Sequence, residues 1–222
     1  MMVAVRGGEE GYKMARYTGP VCRLCRHLAE KLMLKGEKCS TPKCPLESRN
    51  VSHRGRSRTQ RRRVSDRGLQ LQAKQKVRFS YGVLERQFRG FFAEAKRVPG
   101  VTGESLLILL ERRLDNVVYR LGFADSRAQA RQMVGHGHIF VNGRKTDIPS
   151  CLVKPGGVIQ WRKTSTETEY YKSVVEKVKG KSIPSWLSLD EEGMIGRVLS
   201  LPGKDDIEAR FDSKAIVEYY SR

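Results

Sequence analysis

Residues 113–157 read "RLDNVVYRLGFADSRAQARQMVGHGHIFVNGRKTDIPSCLVKPGG", and within them the spacing of apolar residues changes once, from a helical to an extended period. Up to the change, Leu106, Leu110, Leu114, Val117, Val118 and Leu121 recur on one side of a helix that the pattern carries through 102–123, with Gly122 as its end. A shorter helix follows in "DSRAQARQMVGHG", where Ser126 and Gln129 form a capping-box pattern. In it Ala130, Met133 and Val134 face inward, leaving Arg127 and Arg131 one turn apart on the exposed face. Past the His136-Gly137-His138 corner the period is two. "HIFVNGRK" is a strand running into Asn142-Gly143, a pair that tolerates positive φ at both positions, and "SCLV", "KPGG" and "VIQW" supply strand, turn and strand.

Working outward, the fold class is α+β: a mainly helical first domain with an N-terminal metal-clipped four-cysteine lobe, plus a helix–helix–turn–strand module. Ser65 or Asp66 caps a helix with Leu69, Ala73 and Val77 on its stripe. In "YGVLERQFRGFFAEAKRVPG", Leu84, Phe88, Phe91, Phe92 and Ala95 keep helical spacing until Pro99-Gly100 stops them. The tail adds a helix over Thr166–Val178 and short strands around "SWLSLD", "GRVLSLP" and "AIVEYYS". The expected division is 1–13 as a disordered extension, 14–48 as the cysteine lobe, 49–104 as basic arm and helices, 105–180 as the module, and 181–222 as a C-terminal segment.

Charge narrows the function. The 222 residues hold 43 Lys and Arg against 24 Asp and Glu, a net +19 whose self-repulsion implies an extended anionic partner, nucleic acid first. Arg49–Arg97 alone carries +12, whereas Leu187–Arg222 is net −3. The stretch "ESRNVSHRGRSRTQRRRVS" is nearly devoid of apolar residues and reads as an extended arm. No apolar run approaches the roughly 18 residues of a membrane span, and the first residues lack the apolar stretch of a secretory signal. The expectation is therefore a cytoplasmic protein with reduced thiols, no membrane partner and no small-molecule substrate.

Four cysteines stand at Cys22, Cys25, Cys39 and Cys44, spaced C-x2-C-x13-C-x4-C, with Cys151 far away. Four thiolates close a tetrahedral zinc site and hold a [4Fe–4S] cluster equally well, and an all-cysteine set leaves no open position, which makes the role structural. The phosphate-contacting candidates are Arg54, Arg56, Arg58, Arg61, Arg62, Arg63, Arg67, Lys74, Lys76, Arg78, Arg86 and Arg89 in the arm and its helices, and Arg127, Arg131, Gln132, His136, His138, Arg144 and Lys145 in the module. No catalytic set is found: Walker loop, nucleophile elbow and G-x-G-x-x-G fingerprint are all missing. "RRLDN" (112–116) resembles the Arg-Leu-Asp sequence around the catalytic aspartate of RNA pseudouridine synthases, but here it falls on an uninterrupted surface helix.

The quoted segment closely resembles the RNA-binding module named after protein four of the small ribosomal subunit. "RYTGPVCRLCRHLAEKLMLKGEKC", "YGVLERQFRGFFAEA", "WLSLD", "MIGRVLSLP" and the terminal "VEYYSR" extend the resemblance to the bacterial ribosomal protein family itself, from Met14 onward. It implies a non-enzymatic constituent of the 30S subunit that binds the 5′ domain of 16S rRNA early in assembly, with the module inserted in the first domain and 181–222 packing back on that domain. It further implies contact with ribosomal protein five of the small subunit and other 30S proteins, a place near the channel through which mRNA enters, and a part in translational accuracy. The chain has "NVSHRGRSR" where many relatives have Pro-Pro-Gly-x-His-Gly, and Gly135 where a basic or polar residue is common. Two other classes remain as alternatives: an RNA-modifying enzyme with Asp115 catalytic, and a redox- or iron-sensing RNA regulator built on the cysteines.

Overall fold

A computed structural model of the chain describes residues 16–47 and 64–221. In chain order the helices are α1 (Cys22–Leu28), α2 (Asp66–Ser80), α3 (Glu85–Arg97), α4 (Thr102–Glu111), α5 (Leu114–Arg120), α6 (Arg127–Gly135), α7 (Glu169–Val178) and α8 (Ser213–Ser221). The strands are β1 (Ile139–Val141), β2 (Arg144–Lys145), β3 (Val158–Trp161), β4 (Leu187–Asp190) and β5 (Ile195–Val198). They form one antiparallel sheet in the order β2-β1-β3-β5-β4.

Two cores result. The first gathers Val77, Phe88, Leu106 and Leu110 from α2, α3 and α4 with Phe211 and Ile216 near the C-terminus. The second packs Leu114, Val118, Ala130 and Val134 of α5 and α6 against Ile139, Ile159 and Trp161 of the sheet and Val174 and Val178 of α7. Asn142 and Gly143 take φ of 51° and 75°, so a two-residue turn with the twist that hairpins prefer joins β1 to β2. The Asn142 side chain also accepts a 2.8 Å hydrogen bond from the Val158 N–H, tying the turn to β3.

Three local expectations change. The helix expected over 102–123 breaks at Arg113, which is extended (φ −63°, ψ 135°) and bridged to Leu152. The N–H groups of Leu114 and Asp115 donate to the carbonyls of Cys151 (2.8 Å) and Pro149 (3.1 Å), so "SCLV" caps the new helix instead of joining the sheet. One straight helix cannot face two cores, and the orphan N–H groups made by the break find partners in this segment. "AIVEYYS", expected as a strand, is helix α8: buried Ile216 and half-buried Tyr220 stand one turn apart and pack on the first core, with Tyr220 4.5 Å from Phe92 between ring centroids. The helix expected from Thr166 starts at Glu169, capped by the Thr168 hydroxyl.

The C-terminal segment, expected to return to the first domain as one piece, divides. β4 and β5 extend the module's sheet, and the chain after them, through Phe211 and α8, crosses back onto the first core. Gly196 allows this, because a Cβ there would collide with the Leu121 side chain. The cysteine lobe sits against both cores: Arg210 donates to the Lys31 carbonyl at 3.0 Å, Lys76 pairs with Glu30 at 2.8 Å and Lys177 with Glu37 at 2.7 Å.

Candidate nucleic-acid interface

The α6–β1 corner is built by its caps. The Ser126 hydroxyl accepts from the Gln129 N–H, and the Gln129 side-chain Oε1 accepts from the Asp125 N–H, closing the start of α6. At the other end the N–H of Gly137 (φ 73°) donates to Val134 and that of His138 to Met133, turning the chain sharply into β1. Gln132, His136, Arg144 and Lys145 are exposed around this turn, with the Lys145 stem lying against Gly137. His138 is different: its Nδ1 lies 2.9 Å from the Ser165 hydroxyl. Burial, followed by His136 and Arg162, pushes its pKa down, so the neutral ring braces the corner.

Arg127, expected on the exposed face, is turned inward. Its Nε donates to Asn116 Oδ1 at 2.7 Å, an Nη pairs with Glu208 at 2.9 Å, and its guanidinium carbon lies 4.8 and 4.7 Å from the ring centroids of Tyr81 and Tyr119. Two aromatic faces and a carboxylate from the C-terminal segment outcompete solvent for it. Arg131 donates to Asp115 at 3.1 Å and keeps 16% of its side chain exposed, at the edge of the corner. Among the helix candidates, Lys74 is buried against Glu85 (2.8 Å) beneath the Tyr219 ring, and Arg78 bonds Gln75. Lys76 is engaged by Glu30, while Arg67, Arg86 and Arg89 are exposed. Arg54, Arg56, Arg58, Arg61, Arg62 and Arg63 lie outside the described residues.

Beneath the corner lies a buried polar joint between the cores. Glu111, fully buried, accepts from the Tyr81 hydroxyl (2.6 Å), the Asn116 amide (2.6 Å) and two guanidinium nitrogens of Arg120 (2.6 and 3.1 Å). Glu208 receives Arg127 and Arg210. Burial raises the Glu208 pKa, but the neighbouring arginines outweigh it and hold the carboxyl below the usual range. Burial and the Glu111 charge push the Tyr81 phenol well up, so it stays a donor. Sequence reading missed this joint. Its one available signal is Glu111, which stands four residues after Leu107 and so interrupts an apolar helix face with a charge.

Asp115 belongs to the same layer. It is 3% exposed and takes two bonds from Arg113 (3.1 and 2.6 Å) besides that from Arg131. The surface helix expected around it is interrupted, and the aspartate clamps the helix break.

Cys25, Cys39 and Cys44 are buried, Cys22 is half-buried, and all are free thiols. The Lys35 N–H donates to Cys39 Sγ at 3.3 Å. Burial pushes the Cys25 thiol up against an N–H from Leu32, and the other three cysteines add to the rise. The four thiols thus share one lobe and lie near enough for Cys22, Cys39 and Cys44 to act on Cys25. Among the described residues, however, no three His, Cys, Asp or Glu side chains stand ready around one metal position.

Two family models divide the chain at the helix break: the ribosomal protein S4/S9 N-terminal domain matches residues 16–111 and the S4 domain residues 112–159. Small ribosomal subunit protein uS4 of Dehalococcoides mccartyi is 57% identical over 209 residues, 94% of this chain and 100% of the relative. The uS4 proteins of a Thermoanaerobacter species and of Geotalea uraniireducens are each 52% identical with the same coverage. With both domain models matched and relatives covered from end to end, the chain belongs to the uS4 family of small ribosomal subunit proteins.

Proposed function

We propose that this chain is a non-enzymatic structural constituent of the small ribosomal subunit, in the cytoplasm, and that it binds 16S rRNA. The full-length similarity to uS4 proteins carries this reading. Phosphates meet the exposed corner, Arg144 and Lys145 first, then the edge residues Arg131, Gln132 and His136. Arg67, Arg86, Arg89 and the arginine arm extend the track. Recognition of this kind is electrostatic and by shape, reading backbone and folded RNA surface. The 5′ domain is the segment bound. Ribosomal protein five of the small subunit is a neighbour, and the protein lies near the channel through which mRNA enters, where it supports accuracy.

Cys22, Cys25, Cys39 and Cys44 would hold a zinc ion or a [4Fe–4S] cluster, which would supply only a cross-link within the lobe. The C-x2-C-x13-C-x4-C spacing and the shared lobe of the four thiols support this. Metal analysis of anaerobically purified protein checks it: absence of both zinc and iron would sink it.

For the main reading, the test is binding of a 5′-domain RNA fragment by the Arg144→Ala, Lys145→Ala double variant over a range of salt. Loss of two phosphate contacts should flatten the slope of log affinity against log salt by roughly 1.5. An unchanged slope would remove the corner from the interface. The modifying-enzyme alternative is not favoured, since Asp115 is buried under two guanidinium groups.

A further inference from the structure

Between the cysteine lobe, the α2–α3 loop and α6 there is a recess of about 110 Å³. A closed dry cavity of about 150 Å³ takes a whole benzene molecule, so this smaller, open recess takes the edge of a planar ring whose remainder stands in its mouth. Its walls are aromatic and apolar, with Tyr17 43% exposed at the rim and Phe79 inside, the latter already covered by the Arg78 guanidinium at 4.7 Å. Ser80 also lines it. That residue is 1% exposed, and its hydroxyl is buried with no hydrogen-bond partner among the described residues. A buried hydroxyl left unpaired costs stability unless something that enters the recess completes it. The Asp115–Arg131 pair forms a polar side wall. Of the four arginines in the lining, Arg127 is paired with Glu208 and Arg131 with Asp115, which leaves exposed Arg16 and the Arg78 guanidinium as the positive charge that favours an occupant carried on an anionic chain.

We propose that this recess receives one unstacked nucleobase of the bound RNA. The inference rests on the rRNA-binding reading above and deepens it. Tyr17 takes one face of the base and the Arg78 guanidinium, itself stacked on Phe79, the other, since stacking on aromatic and guanidinium groups is how splayed bases are held. Ser80 answers its edge, because a hydroxyl both donates and accepts. Exposed Arg16, which also lines the recess, meets the adjoining phosphate.

The test uses the full chain and a 5′-domain RNA fragment, with affinity and base-by-base chemical reactivity measured on the same complexes. Wild-type protein should protect one unpaired base at its edge. Tyr17→Ala removes a stacking wall, and Ala128→Trp, at an exposed lining position, plugs the mouth without entering either core. Each should restore the reactivity of that same base and weaken binding roughly tenfold. Tyr17→Phe should keep both protection and affinity. Weaker binding by Ala128→Trp with the base still protected would mean a clash with the RNA backbone and overturn the inference. So would a wild-type complex in which no base responds to Tyr17→Ala. A wild-type protein that does not bind the fragment at all overturns the rRNA reading, and this inference with it.

Discussion

Arg127 and Arg144 are both arginines of the module, and they do opposite work. Arg127 is held between two tyrosine rings and paired with Glu208, whereas Arg144 stands in solvent on a two-residue strand. The same contrast separates the buried joint of Glu111, Arg120 and Glu208 from the exposed corner of His136, Arg144 and Lys145. A high positive charge therefore does not convert into phosphate contacts residue by residue. Part of it is neutralised inside, where it joins the two cores, and only the remainder is offered to a partner.

The widest gap between the regions should come from Glu111→Ala. It strands Arg120, Asn116 and Tyr81 in a dry joint, and removing one partner of a buried pair typically costs about 3–5 kcal/mol. Denaturant unfolding should show that loss; a cost below about 1 kcal/mol would erase the distinction between joint and surface.

Glu208→Gln keeps the shape and removes the charge, at a cost of about 2 kcal/mol, the range for hydrogen bonds to charged groups. The pH dependence follows from the lowered pKa of Glu208. Its contribution is complete above the carboxyl's unfolded value, near 4.3, and is lost as pH falls through the lower folded value. Wild type and variant should thus differ most near neutrality and converge in acid. Curves that stay parallel into acid would show that the Glu208 charge is idle.

Ser126→Ala removes the cap of α6 and should cost about 1 kcal/mol, sharpening the comparison by lying between its extremes. Arg144→Ala with Lys145→Ala should change stability by less than about 0.5 kcal/mol while altering RNA binding. A large loss of stability would show that the corner also supports the fold.

The module was the most legible part of the chain because its signals are local. The change of period at His138, the Ser126 cap and Asn142-Gly143 each act within a few residues, and each appears where it was read. The break at Arg113 was not legible, since the apolar spacing continues across it and only the carbonyls of Pro149 and Cys151, some 35 residues on, decide it. α8 misled for a related reason: "AIVEYYS" suits a strand by composition, and its packing partners are in α2 and α4. At the candidate site, residue types identified a basic surface, but not which bases face inward. Arg127 and Lys74 look like any other surface cation until Glu208 and Glu85 are brought beside them.

By itself, then, the sequence determined the α+β class, the helix–helix–strand module and the anionic partner, because period, turn chemistry and net charge are properties of neighbouring residues; the family came from the segments that resemble its members. Tertiary structure alone decided that one expected helix is two, that β4 and β5 complete the module's sheet, and that a layer of ion pairs locks the two cores together. Those outcomes depend on groups far apart in the chain competing with water for the same partner, and no local pattern records who wins.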